Sequence, residues 1–185
     1  MLAKRQHRNM NRKERALLSV AYHEAGHAVA AFALGVPVHR ATIVPGEESA
    51  GHIKHAKIFP RSDSPEWDTS YRNRGRAERS VIIFLAGDIA ERHHNPKRRR
   101  GDAGDRHAAI RLLDAFARSD DHLQKWFKAL MQETDDIITS KRWWPKVEAV
   151  AQALVQHRKM SGKEVTACIR AVFQREFDDA VRRNP

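Results

Sequence analysis

The chain has 185 residues, 41% of them hydrophobic, and a formal net charge of +11 at pH 7. That length suits one domain, because two cores would leave each half thin, and the charge, with a pI near 10.3, attracts polyanions or acidic protein partners without saying anything about fold. The single cysteine, Cys168, excludes an intramolecular disulfide and a cysteine-rich zinc module, and it fits a reducing, cytoplasmic location.

Residues 1–12 read as a basic, flexible tail, and the apolar run that a secretory signal needs is interrupted at Tyr22, His23 and Glu24. No stretch reaches the roughly 18 uncharged apolar residues of a membrane helix, so no membrane span is expected. From Arg12 to Leu34 the pattern is helical: Leu17, Leu18, Ala21, Ala25, Ala28, Val29 and Phe32 form one apolar stripe, and Gly35 and Pro37 end it. Two β-like stretches follow, at 38–44 and 51–57, joined by a turn-prone segment from Pro45 to Ser49 and read as a hairpin or adjacent strands.

Residues 59–73 mix Pro, Ser, Asp and aromatics without a period and read as a loop. A helix over 76–92 follows, with the apolar centre Val81, Ile82, Ile83, Phe84, Leu85 and Ala86, too continuous for a surface helix. Asn95 and Pro96 break it just before the densest charge run, Lys97, Arg98, Arg99 and Arg100. Helices are then expected over about 105–118, 120–139, 145–158 and 162–182, the last opened by a Ser161 and Glu164 capping box.

The first helix carries "HEAGH", residues 23–27. Residues four apart share a helix face, so His23 and His27 can offer ring nitrogens to one zinc ion. Glu24 lies about 100° round the helix from His23, beside the metal, where it can act as general base on a zinc-bound water. Two histidines do not complete a catalytic zinc site, which takes three protein ligands and leaves one position open. The downstream carboxylates Asp88, Glu91, Asp102 and Asp105 all stand as candidates for the third.

"HEAGHAVAAFALGVPVHRATIVPGEESAGHI", "FLAGDIAERHH" and "GDAGDRHAAIRLL" together resemble the peptidase domain of the FtsH proteases, the zinc metallopeptidases of family M41. The resemblance runs in order over residues 15–118, and a fainter echo continues through "VEAVAQALVQHRKMSGKEV". It implies a mainly helical α+β fold: a zincin helix, a small sheet or hairpin and a C-terminal helical bundle. The peptidase domain would span 13–185, with a metal-site core at 13–118 and a helical part at 119–185. The resemblance also implies zinc on His23, His27 and Asp105 with Glu24 as the catalytic base. Glu91 would be the third ligand under a thermolysin-like pattern, Asp102 is the near miss, and Asp105 has an N-capping role as its alternative.

FtsH proteases carry membrane segments and an ATPase module before this domain, and this sequence has no Gly-Lys-Ser/Thr phosphate loop. The expectation is therefore a standalone, ATP-independent endopeptidase acting on unfolded or flexible polypeptides, unless a separate ATPase or adaptor delivers substrate. The run at 97–100 replaces small polar residues of the family and points to an acidic substrate or partner. The strand at Gly51, His52 and Ile53 matches one that pairs with extended substrate in related zinc peptidases. Trp143 and Trp144 are expected in the helical core or at a homo-oligomer surface, as family members form rings.

The alternative is a non-proteolytic zinc-containing protein whose basic surface binds nucleic acid or an acidic partner. Trp67, Tyr71, Trp143 and Trp144 are its candidate stacking residues, but they are not interleaved with the basic ones. His39, His52, His55, His93, His94 and His107 are assigned no metal.

Overall fold

The computed structural model describes residues 11–45, 51–56, 58, 70–97 and 103–183. The expected tail over 1–10, the turn over 46–50, Trp67 with most of the 59–73 loop, the run from Arg98 to Arg100, and Asp102 lie outside the described residues.

Helix α1, Arg12–Ala33, starts where its pattern does because Asn11 closes a capping box. Its side chain accepts from Glu14 N at 2.9 Å, and its own N–H donates to the Glu14 carboxylate at 2.9 Å. At the other end Gly35 takes φ 70°, the left-handed conformation glycine accommodates without strain, and Val36 N donates back to Ala31 O at 2.8 Å. The chain then turns directly into strand β1, Val38–Thr42.

Strand β2, His52–His55, pairs antiparallel with β1 (Ala41 opposite Ile53, Thr42 opposite His52), so the expected hairpin is present with both strands shorter than read. A third strand, β3, Lys159–Ser161, pairs antiparallel on the other side of β1, with Met160 opposite Ala41. The sheet order is β2-β1-β3. Three residues between two helices are too few to show a period of two, so β3 was invisible in the sequence. Its neighbour Arg158 reaches φ 65° to make the turn, and its carbonyl accepts from Ile43 N at 2.9 Å.

Helix α2, Tyr71–His94, begins about five residues earlier than the apolar pattern indicated. Ser70 accepts from Asn73 N at 3.4 Å, and Asn73 is buried and receives Arg76 Nη1 at 2.8 Å, so polar contacts extend the helix where hydrophobic periodicity is silent. Helix α3, Ala103–Asp114, starts two residues before the expected 105, which places Asp105 inside the first turn and not at the N-cap. Helices α4, Asp120–Ile138, α5, Trp144–His157, and α6, Gly162–Arg183, follow within a residue or two of their expected limits. Ser161 and Glu164 make the expected capping box, with Ser161 N donating to Glu164 Oε2 at 2.6 Å and Glu164 N to Ser161 Oγ at 3.3 Å. A Cβ on Gly162 would lie 1.8 Å from Val38 O, so only glycine lets α6 start against β1.

The architecture is mainly α with one small antiparallel sheet. Helix α1 is the central element, packed by α2, α5 and the sheet, and residues 24–31 of it are buried without a break. Among the described residues no helix is long and apolar enough to cross a membrane.

Candidate metal centre

Burial of α1 on nearly all sides forces small residues along it. A Cβ on Gly26 would sit 2.3 Å from Ala86 O and 2.7 Å from Ala90 Cβ, so the backbones of α1 and α2 touch there. That contact brings the HEAGH turn onto the second half of α2. Opposite the histidines stands Gly87, where a Cβ would be 2.4 Å from His27 Nε2 and 2.9 Å from His23 Cε1. The two imidazoles occupy the notch that this missing side chain leaves.

Three ligand-type atoms converge in front of the notch. His23 Nε2 lies 3.1 Å from Asp105 Oδ2, His27 Nε2 lies 3.2 Å from the same oxygen, and the two Nε2 atoms are 3.0 Å apart. The imidazole planes stand nearly perpendicular, at 86°. His27 Nδ1 is 2.6 Å from Ile83 O, which can only accept, so Nδ1 carries the proton and Nε2 presents a lone pair to the cluster. His23 Nδ1 faces Glu91 Oε2 at 3.4 Å, within ion-pair reach but not aligned for a hydrogen bond. Glu91 is itself buried, and Ser19 Oγ donates to its other oxygen.

Glu24 is buried on the same helix, one residue from His23. A Cβ on Gly51 would lie 2.6 Å from Glu24 Oε1, so the backbone entering β2 passes directly over this carboxyl.

The family model for peptidase family M41 matches residues 8–117. The chain belongs to peptidase family M41. It is 34% identical over 84 residues to the "ATP-dependent zinc metalloprotease FtsH" of Rickettsia typhi, a segment that is 44% of this chain and 12% of that protein. It is 37% identical over 87 residues to the FtsH of Pirellula staleyi, 45% of this chain and 11% of that one. With FtsH 1 of a Thermoanaerobacter species the figures are 36% over 86 residues, 45% and 12%. The chain thus spans about one eighth of the length of these relatives, and the M41 match ends in the turn after α3, before α4 begins.

The donor set of this M41 chain fits zinc. Ligand atoms about 2.0–2.1 Å from a tetrahedral zinc lie roughly 3.3 Å from one another, and the observed separations of 3.0, 3.1 and 3.2 Å are close to that. Two imidazole nitrogens and one carboxylate oxygen are the ligand types zinc prefers in catalytic sites. Among the described residues His23, His27 and Asp105 are the group of metal-binding type that converges.

The electrostatics follow from the burial of opposite charges together. Burial alone would lower the His23 imidazole, but its contact with Asp105 and the carboxylates of Glu91 and Glu24 outweigh it and hold the group at about 10. Burial would raise the Asp105 carboxyl, but the two imidazoles hold it well below the ordinary carboxylate range. For Glu24 burial dominates and pushes the carboxyl up, against the lowering pull of His27 and His23.

Of the carboxylates that spacing left open, the fold brings Asp105 to the histidines. Glu91 stands behind His23, on the Nδ1 side, and Asp88 is directed to an exposed ion pair with Arg92 at 3.4 Å. Of the histidines assigned no metal, those whose side chains are described stay apart from the centre. His39 and His107 are exposed, His55 contacts Ala56 O, His94 stacks on Tyr22 at 3.6 Å, and His93 packs edge-on to Trp144 at 4.3 Å. Trp143 and Trp144 are half-buried against the core, Trp143 meeting Phe173 and Trp144 meeting Tyr22. Sequence reasoning missed what Gly87, Gly51 and Ser19 do. The Leu-Ala-Gly motif marked Gly87, yet nothing in it says that the glycine makes room for imidazoles.

Proposed function

We propose that the chain is a zinc-dependent endopeptidase in which His23, His27 and Asp105 hold the metal and Glu24 is the catalytic base. The convergence of the two Nε2 atoms with Asp105 Oδ2, beside a buried glutamate on the same helix turn, carries the reading. A zinc ion there supplies Lewis-acid polarisation of the scissile carbonyl and acidifies water. Glu24, its proton affinity raised by burial, takes the proton of the attacking water and passes it to the leaving amine. The Ile83 carbonyl fixes the His27 imidazole from behind, and the Glu91 carboxylate faces His23 Nδ1 within ion-pair reach.

Strand β2 is an outer strand of the sheet and lies over Glu24, so an extended polypeptide can add to its edge and bring a peptide bond to the base. Edge pairing reads backbone and demands an extended chain, which selects unfolded or flexible segments. Hydrolysis of a peptide bond by these residues needs only water and the metal, so the cleavage step itself is read as ATP-independent.

The purified chain should hold about one zinc and cleave casein or a flexible peptide, with cleavage abolished by a chelator and by Glu24→Gln, while Glu24→Gln still binds zinc. Retained cleavage in Glu24→Gln would overturn the mechanism. Steeply salt-dependent binding of DNA or RNA, with no turnover of any unfolded substrate, would support a binding protein instead.

A further inference from the structure

A second concave feature borders the metal centre. Where the first turns of α1 meet the end of α2 there is a cleft of about 550 Å³, lined by Arg15, Leu18 and Ser19 on one side and His94, Pro96 and Lys97 on the other. Arg15 and Lys97 are exposed, and among the described residues neither makes an ion pair and no carboxylate lines the cleft. The walls are fixed from behind: His94 stacks on Tyr22 at 3.6 Å, and Ser19 donates to Glu91. Glu91 in turn faces His23 Nδ1 at 3.4 Å, so a single buried carboxylate separates the cleft from the metal cluster.

The volume falls in the roughly 300–1,000 Å³ range of small-ligand sites, room for one or two side chains and not for a folded surface. Two cations on aliphatic stems, in a cleft that Leu18 and Pro96 also line, match a carboxylate carried on a short methylene arm. Nucleic acid would call for a track of phosphate contacts and aromatic faces for bases, and among the described residues the lining has two full cations and no Phe, Tyr or Trp.

We propose that the cleft walled by Arg15 and Lys97 is a specificity subsite for an aspartate or glutamate side chain of the polypeptide substrate. The proposal rests on the peptidase reading and names its substrate class: unfolded segments with an acidic residue near the cut. Ser19 is one turn and Arg15 two turns from His23, roughly 6 and 12 Å along the helix at about 1.5 Å per residue. An extended substrate advances about 3.3 Å per residue, so the acidic residue falls about two to four residues from the cleaved bond, on one side of it.

Cleavage sites are mapped by mass spectrometry in a mixture of unfolded proteins. Asp and Glu should be enriched two to four residues to one side of the cut, and the enrichment should vanish in the Arg15→Glu/Lys97→Glu double variant. For a peptide built on a preferred site, kcat/KM should fall about tenfold in the double variant, the size of a lost charge-assisted contact, and its Gln counterpart should be unaffected. Lys163→Glu/Arg170→Glu, the same charge change on exposed residues of α6, should alter neither. Absence of the enrichment, or its persistence in the double variant, overturns the proposal.

Binding separates this outcome from failure of the peptidase reading. On the Glu24→Gln variant, fluorescence anisotropy with a labelled Glu-containing peptide and its Gln counterpart should show a preference for the former that Arg15→Glu/Lys97→Glu abolishes, whether or not the wild-type chain cleaves. A labelled single-stranded DNA of equal charge that binds more tightly than the acidic peptide, and is lost in the same double variant, would make the cleft a nucleic-acid site and overturn the proposal.

Discussion

Helix α1 brings Ala21, Ala25, Gly26 and Ala28 to the buried centre, and α2 brings Ala86, Gly87 and Ala90, all small. Helices α4, α5 and α6 bury Phe127, Leu130, Ile138, Val147, Leu154 and Ile169. The difference lies in what each region is for. Large side chains supply apolar area, about 25 cal/mol per Å² removed from water, and can repack around a change. Small ones supply little area but let two backbones meet, and backbones cannot repack. The cluster of His23, His27 and Asp105 is therefore placed by the region with the least slack and held in the molecule by the region with the most.

The contrast breaks first at Gly87. Gly87→Ala adds a methyl 2.4 Å from His27 Nε2, and zinc affinity, measured by chelator competition, is expected to fall on the order of a thousandfold (about 4 kcal/mol) with the helical circular dichroism intact. Unchanged affinity would show that the seam has slack after all. Leu154→Ala, in the fully buried part of α5, should cost about 2–5 kcal/mol in denaturant unfolding and leave the zinc affinity of the folded chain unaltered. A matching loss of zinc affinity would mean that the two regions are not separable.

Glu91→Gln sharpens the same comparison from within the centre. It keeps the shape and removes the charge behind His23, and zinc affinity should drop about 10- to 100-fold. Ser19→Ala, acting one bond further away, should give the same change in weaker form. A Glu91→Gln variant with native affinity would reduce Glu91 to a packing residue.

The smallest effect is the pH dependence of the chelated protein. The His23 imidazole is raised from 6.5 to about 10, so its stabilisation is complete below about pH 6.5 and is lost as pH rises through 10. The Asp105 carboxyl is lowered from 3.8, so its stabilisation is complete above about pH 4 and is lost in acid. Thermal melting should therefore show greatest metal-free stability between about pH 4 and 6.5, declining toward pH 10. A midpoint that instead rises from pH 6.5 to 10 would contradict the ion cluster.

Local pattern alone supplied much of this molecule. The stripe on α1, the glycine that ends it, the Ser161 and Glu164 box and the i, i+4 histidines are all short-range features, set by helix geometry and visible in a few residues. The early start of α2 escaped because it depends on Ser70 and the buried Asn73, polar contacts that leave no hydrophobic period. Strand β3 escaped because its pairing with β1 spans more than a hundred residues.

The metal centre divides along the same line. Sequence by itself determined that His23, Glu24 and His27 share one turn of a helix with small neighbours, since that needs only 3.6 residues per turn. It left Asp88, Glu91, Asp102 and Asp105 equivalent on spacing alone, and resemblance to a known family, not spacing, singled out Asp105. Tertiary structure brought Asp105 to the histidines, turned Glu91 to the back of His23 and set Gly87 and Gly51 against the turn from His23 to His27. The reason is that one chain separation admits many distances in space, and which of them occurs is decided by how closely α1, α2 and α3 can pack.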